Sequence, residues 1–576
     1  MWGFPFNMFP GTNMHDLDLD WILKVVRDMD IKLNDFIKNF SNPKIAYSYA
    51  EFTNKKLIYL YVGDEFGYET NHWYYFNDDT NAWTDGGLYG SAVVDTELDE
   101  DSTNAVQNRV IAKTISDMSV YVTPEMFGAV GDDINDDTAA LKEMFLSNMP
   151  VYLPEKTYLT TEELVYAGPS IAGSGTIRSI MPVEHVIRCT SDEIEICGIH
   201  VDCHNMSAIG IYCIGNTMCN IHDCIVENTE NAELGSVACS GIYTTGYYTT
   251  KIENNKIQHI NRTNQNAGVI SSIGIDCTSD GCMYISNNFI NDVKCSTQQT
   301  DCDGIYLTSP ANTATAYVTN NIILDPTGRF IKLQTNNANV IGNRGRLINS
   351  ASGLFFKGID FQYGGGLVEN NYLDLAGKAG ASSMFFHSDY NQNYGRVLSI
   401  KDNTCICSNE INSFLMIDGT VGGSVNIENN NVFTTYINYV LRFSETTHAT
   451  KIRCVNNTIP FYRLINANGT ADYTNIILTV EDNKSTYSGN QIFNNAVSIN
   501  NIIVRNNIGV NERLTNVTMN FTAMDSFSVE YNQVGVPITN APAALAAADH
   551  VMLTSMSGKT YMYYNYADGT SGVSQK

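Results

Sequence analysis

The sequence predicts a mainly β fold, a parallel β-helix, on three observations. An asparagine motif recurs down the chain, with an apolar residue, a spacer, a polar pair, another spacer and a β-branched or apolar residue. It is centred on Asn254-Asn255, Asn287-Asn288, Asn320-Asn321, Asn370-Asn371, Asn429-Asn430, Asn456-Asn457 and Asn506-Asn507, with weaker copies at Gly342-Asn343, Asp402-Asn403, Asp482-Asn483 and Tyr531-Asn532. The interval of roughly 22 to 33 residues is that of supersecondary units that stack. Second, the units alternate apolar and polar residues at period two and are rich in Ile, Val, Tyr and Thr, which is strand and not helix chemistry. Third, a further strand precedes each pair: Gly210-Ile211-Tyr212, Gly241-Ile242-Tyr243, Gly274-Ile275-Asp276, Gly304-Ile305-Tyr306 and Phe330-Ile331-Lys332. Asn suits the corners between such strands, because it tolerates the left-handed backbone region and its amides ladder from coil to coil.

The elements follow in order. Residues 1–43 combine an apolar start (Trp2, Phe4, Phe6, Met8, Phe9) with a heptad seam at Ile22, Val26, Met29, Leu33, Phe36 and Phe40. We expect an anchor inserted into a partner, then a helix forming a short coiled coil or packing on its own chain. Residues 44–92 read as a small β module with strands at Ile58–Tyr61 and His72–Phe76, whose aromatics form a tiny core or stack on sugars. Residues 93–120 read as a polar linker and a short helix capped by Asn104 and Gln107. The solenoid is expected over 121–536, and a β tip with a strand at Thr560–Tyr566 over 537–576.

Composition excludes several functions. The formal charge of −27, from 61 acidic and 34 basic residues, argues against a nucleic-acid partner. No run has the length of a membrane span, and no signal peptide opens the chain, so neither membrane insertion nor secretion is expected. Eleven of the 14 cysteines lie between Cys189 and Cys302, where Cys213 and Cys277 fall at inward strand positions; we read them as stacked buried thiols in preference to a disulfide framework. Cys203-His204, and His222 with Cys219 and Cys224, come nearest to a metal set, but strands send neighbours to opposite faces. No metal or other cofactor is expected.

The run from Phe127-Gly128-Ala129-Val130-Gly131-Asp132 through Asp136-Asp137-Thr138 to Leu141, followed by Val151-Tyr152-Leu153-Pro154, resembles the entrance to the pectate-lyase-like, right-handed, single-stranded β-helix of bacteriophage tail spikes. Asp136 or Asp137 would cap a helix whose Ala139, Ala140 and Met144 cover the first coil. The segments Pro5–Pro10 and Leu17–Ile22 are similar to N-terminal segments of phage structural proteins, and 95–108 resembles linkers of tail and baseplate fibres. The resemblance implies a homotrimer on the virion tail, assembled in the host cytoplasm and held by tail or baseplate proteins through residues 1–40. It also implies recognition of a host surface polysaccharide, with or without its depolymerisation.

The residues offer a groove for that role. In the Gly-Ile-x strands x points outward, which gives a column of Tyr212, Tyr243, Asp276, Tyr306 and Lys332 at a spacing of about 4.8 Å. The tyrosines and Lys332 are the candidate substrate-binding residues. Glycoside hydrolysis needs two carboxylates about 5 to 9.5 Å apart, and Asp276 with Asp303 or Asp301 of the next coil are the candidate pair. Asp303 shares the parity of inward Ile305, and all these acids also suit corner hydrogen bonding. Glu227, Glu230 and Glu233 are alternative acids; Lys332 or Tyr306 would be the base of a lyase; and Lys357, Asp360, His387 and Asp389 form a second polar set. A catalytic spike, a non-catalytic adhesin and a secreted bacterial polysaccharide lyase or hydrolase all remain open.

Overall fold

The computed structural model describes residues 43–88 and most of 121–576, apart from short internal segments; side chains are described as far as Ser485. The heptad seam, the apolar start and the linker helix lie outside the described residues. The chain divides into two compact units, Met1–Ser119 and Val120–Lys576.

The described part of the first unit is a four-stranded sheet of Lys44–Ala46, Tyr59–Tyr61, His72–Asn77 and Ala82–Leu88. Its aromatics form a core: Phe52, Tyr59, Tyr61 and Tyr74 are buried, with Tyr68 and Trp83 packed against them. The buried phenol oxygens find backbone N–H donors, as where Tyr59 Oη accepts from Asn54 and Tyr61 Oη from Glu65.

The second unit is a solenoid of stacked parallel strands. Its third face is a 12-stranded sheet running from Asp132–Asp136 to Asn431–Thr434. The first and second faces form one sheet, because in Met384–Lys401 and Ile411–Glu428 a single strand runs round from one to the other. The first face stacks His185–Cys189, Ile209–Ile214, Cys239–Thr245, Ser271–Thr278, Asp301–Thr308, Arg329–Gln334 and Lys357–Phe361 in sequence. At the C-terminal end Thr560–Asn565 pairs antiparallel with both His550–Thr554 and Ser571–Gln575.

The asparagine pairs divide their work. The first residue turns the corner in the left-handed region (Asn254 φ 58°, Asn287 φ 56°, Asn320 φ 56°), where Gly342, Asp402 and Asp482 substitute. The second is buried and builds a ladder through Asn255, Asn288, Asn321, Asn343, Asn371, Asn403, Asn430, Asn457 and Asn483. Asn288 illustrates it: its Nδ2 donates to Ile252 O at 2.8 Å, and its backbone N and Nδ2 both donate to Asn321 Oδ1 at 3.0 Å. The ladder begins one coil before the first Asn pair, where Asp223 takes the left-handed corner (φ 57°) and the backbone N of Cys224 donates to Asn255 Oδ1 at 2.9 Å.

Inside, the glycines of the Gly-Ile-x strands have a steric cause. A Cβ on Gly210, Gly241, Gly274 or Gly304 would collide with Val226, Ile257, Ile290 or Ile323 of the third face. Glycine and isoleucine are both buried there, so the in-out alternation slips by one residue at each glycine. All 14 cysteines are described: ten of the 12 free ones are buried, Cys189 and Cys213 are cross-coil partners, and one disulfide joins Cys295 to Cys302. Stacked thiols therefore fill the early core, with one bridge that the thiol reading did not include.

The N-terminal end is closed by the helix Thr138–Leu146, which buries Ala140, Leu141, Met144 and Phe145. Ala139 is exposed, contrary to expectation, because the buried arc runs through positions 140, 141, 144 and 145 and 139 lies outside it. Asp137 stands at the N-cap, but its carboxylate reaches back to accept from the backbone N of Val130 at 2.7 Å and Gly131 at 3.2 Å. Asp136 accepts from the N of Thr138 at 3.0 Å.

Candidate functional site

The outward column of the first face is continuous. Tyr212 pairs with Tyr243, Tyr243 with Asp276, Asp276 with Tyr306 and Tyr306 with Lys332 at Cα level, and the column continues to Asp360 and His387. Its outward direction follows from the strand pattern: Ile211 and Cys213 are buried on either side of half-buried Tyr212, and Ile275 and Cys277 on either side of half-buried Asp276.

The rings spend their faces on neighbours. His185 stacks on Tyr212 at 4.6 Å, and Tyr212 lies 5.0 Å from Tyr243. Lys332 is buried with its ammonium 4.3 Å from the centre of the Tyr306 ring, and Tyr306 Oη donates to Gln334 at 2.6 Å. Tyr306 and Lys332, two of the candidate substrate-binding residues, thus turn to each other as a cation–π pair. Burial, and then the charge of Asp276, raise the Tyr243 phenol, which keeps it protonated as a donor beside that carboxylate.

Asp303 does not join Asp276 as a surface acid. It is fully buried and accepts from Arg329 Nη1 at 3.2 Å, and it pairs in register with Ile273 and Arg329, three residues before the Asp276 column. Burial without loss of charge requires such a partner. Asp301 pairs at Cα level with Ser271, and its side chain lies outside the described set. Glu227 stands on the third face, bonded to His200 Nε2 at 3.0 Å, so it belongs to a different surface; Glu233 lies outside the described residues.

Arg329 opens a charged network that sequence reasoning saw in fragments. Its Nε donates to Asp360 Oδ2 at 2.7 Å. Asp360 Oδ1 is 2.6 Å from His387 Nδ1, and His387 Nε2 is 2.9 Å from Asp418 Oδ2, while Lys357 Nζ lies 3.0 Å from His387 Nδ1. Asp360 and His387 are buried; the Asp418 side chain is 29% exposed and gives the chain of bonds an outlet to solvent. Burial opposes ionisation of Asp360, but the charges of His387, Lys357 and Arg329 outweigh it and hold the carboxyl well below its usual range. Burial also opposes the His387 imidazolium, and Asp360 followed by Asp418 outweighs it, so the ring is held protonated above its usual range. The signal was present in the repeat: Gly358-Ile359-Asp360 is another Gly-Ile-x strand, and it continues the column past Lys332. Asp389 of that second polar set has its side chain outside the described residues.

A second aromatic pair lies on the second face, where Tyr284 and Tyr317 stack at 5.0 Å and an interplanar angle of 4°. Each stands three residues before a corner asparagine, Asn287 and Asn320, a register also legible in the sequence.

No family model matches the chain, and no curated protein matches it. Solved structures similar to it include ORF18 of Geobacillus virus E2, at 14% identity and TM-score 0.31, covering 92% of this chain and 99% of that one. The tailspike protein gp49 of Pseudomonas phage LKA1 matches at 13% identity and TM-score 0.38, covering 66% of this chain and 84% of that one. PfbA, a surface adhesin of Streptococcus pneumoniae, matches at 10% and 0.33, covering 79% and 99%. At this level of similarity the site is read from its own residues.

Proposed function

We propose that the chain is a phage tail spike whose first face binds a host surface polysaccharide. The observation that carries this reading is the unbroken outward column of Tyr212, Tyr243 and Asp276 on one face of a rigid solenoid. Phenol hydroxyls and a carboxylate repeated at coil spacing match a linear polymer of hydroxyl-bearing units, which offers donors and acceptors at intervals along its length. Arg188, one coil before Tyr212, adds a cation for an anionic sugar. Attachment to the tail through residues 1–40 and assembly as a homotrimer belong to the same proposal and are supported by the sequence resemblance.

Depolymerisation of the bound polymer is a second reading, favoured by the Asp360–His387–Asp418 chain. A protonated imidazole anchored by a buried carboxylate orients Asp418 at the surface, as a general base or nucleophile requires. Asp276 stands five coils from the strand of Asp418, roughly 24 Å at about 4.8 Å per coil, so it belongs to the binding column and not to the same acid pair.

The test is incubation of the full chain with capsule and other surface glycans from candidate hosts, following retention on immobilised glycan and new reducing ends. Retention that Tyr243→Ala and Asp276→Asn each weaken supports the groove; retention unchanged in both refutes it. Reducing ends lost in Asp418→Asn with retention intact identify a depolymerase. Retention without new ends identifies an adhesin.

A further inference from the structure

The second face carries a group of donors that the glycan reading does not use. In the strand Glu193–Cys197, Ile194 and Ile196 are buried, so Glu193, Glu195 and Cys197 face outward. On the next coil His222 lies directly beside Cys197 and Asn220 beside Glu195. The chain then turns its corner at Asp223, whose left-handed backbone (φ 57°) folds the carboxylate back to 2.7 Å from His222 Nδ1. Glu195 Oε1 lies 3.3 Å from His222 Nε2 and is steadied by Asn220 Nδ2 at 3.2 Å. The Cys197 sulfur, a His222 ring nitrogen and an Asp223 carboxylate oxygen all lie within 4.8 Å of one another.

We propose that Cys197, His222 and Asp223 bind a divalent transition-metal ion of the zinc class, with a water completing the set and Glu195, at the other ring nitrogen of His222, fixing the orientation of the imidazole. A tetrahedral zinc with one sulfur, one nitrogen and one oxygen ligand places those atoms roughly 3.3 to 3.6 Å apart, as follows from metal–ligand lengths of about 2.0 to 2.3 Å. Small rotations of side chains that are one-quarter to one-half exposed close the set to that size. The donor chemistry selects the ion: thiolate and imidazole favour zinc, cobalt or nickel over magnesium or calcium. Cys197 is also set apart from the structural thiols. Of the 12 free cysteines only it and Cys282 are not buried. The cysteines that flank His222 in sequence, Cys219 and Cys224, point into the core and are not ligands. Cross-coil pairing thus assembles a set that no local spacing in the chain announces. An ion held between two coils would tie them together beside the corner at which the asparagine ladder starts.

The test uses the reduced full chain, stripped with a chelator and titrated with cobalt(II). The expected result is one equivalent bound, with a thiolate-to-cobalt charge-transfer band and the visible bands of a four-coordinate ion, displaced by zinc. Cys197→Ser abolishes the charge-transfer band, Cys282→Ser leaves it, and Asp223→Asn weakens binding at least about tenfold while the thiolate band remains at saturation. Circular dichroism verifies the fold of each variant, and Asp223→Asn serves if Cys197→Ser does not fold. Absence of the band, its survival in Cys197→Ser, or unchanged affinity in Asp223→Asn overturns the site.

Discussion

Replacing Asn321 by leucine tests how far the solenoid depends on its buried amide ladder. The Asn321 side chain makes four hydrogen bonds: Nδ2 donates to Ile285 O at 2.9 Å and to Asn343 Oδ1 at 2.9 Å, and Oδ1 accepts from the N and Nδ2 of Asn288, both at 3.0 Å. Leucine fills a similar volume and makes none of them. Two buried donors on Asn288 lose their acceptor, and each orphaned donor costs about 1 to 3 kcal/mol. Relaxation and the added apolar contact offset part of this, leaving about 2 to 4 kcal/mol. Because each coil contacts mainly its neighbours, the loss is local, and a global melting midpoint would report the weakest region instead. Hydrogen exchange read by mass spectrometry is the suitable assay. Peptides spanning Ile285–Ile290 and Ile322–Leu324 should exchange roughly 30- to 1,000-fold faster, at about 1.4 kcal/mol per tenfold. Asn320→Gly at the adjacent corner should change exchange less than about threefold, since Gly342 already serves there on the next coil with φ 71°. Equal effects of the two changes, or none from Asn321→Leu, would refute the ladder as a source of stability.

Arg329→Met should destabilise the same region by about 3 to 5 kcal/mol, because it strips a guanidinium partner from two buried carboxylates, Asp303 and Asp360; denaturant melts with exchange mapping measure this. The pH dependence has a worked sign. His387 is raised above its ordinary 6.5, so its contribution is complete below that pH and is lost as pH rises through the raised value. Asp360 is depressed below 3.8, so its contribution is complete above that pH and is lost as pH falls through the depressed value. Protection factors at the central coils, corrected for the intrinsic pH dependence of exchange, should be highest between about pH 4 and 6.5, with an alkaline loss that His387→Gln removes. Gly304→Ala should lower stability by about 1 to 3 kcal/mol in a thermal melt, since its methyl has no room against Ile323.

The fold was legible because its signals are periodic. One Asn pair per coil states the corner, the ladder and the stacking interval together, and the Gly-Ile-x strands locate the inward residues. The column of Tyr212, Tyr243, Asp276, Tyr306 and Lys332 followed by counting, and the structure stacks those residues in that order. What their side chains do was less legible. Parity suggested Asp303 either entered the core or met solvent, whereas the slip at Gly304 and the reach of Arg329 from the next coil give it a buried ion pair. Lys332 folding onto Tyr306 is likewise a contact between coils, 26 residues apart in the chain. The nearness of His222 to Cys197 was not legible either, because 25 residues separate them and only the stacking register brings them side by side.

The sameness of the corners gives this molecule a unit of length. Asn288 and Asn321 make the same three donor bonds to the coils on either side, so a chain cut after one and rejoined after the other would meet equivalent partners. Removing the 33 residues Phe289–Asn321 would shorten the rod by one rise of about 4.8 Å and bring its remaining columns into line. Insertions and deletions of whole coils are therefore mild events for such a chain, whereas loss of two or three residues at a corner would break every bond described there. A protein built this way can change its reach, and the number of positions along its flank, without inventing a new fold.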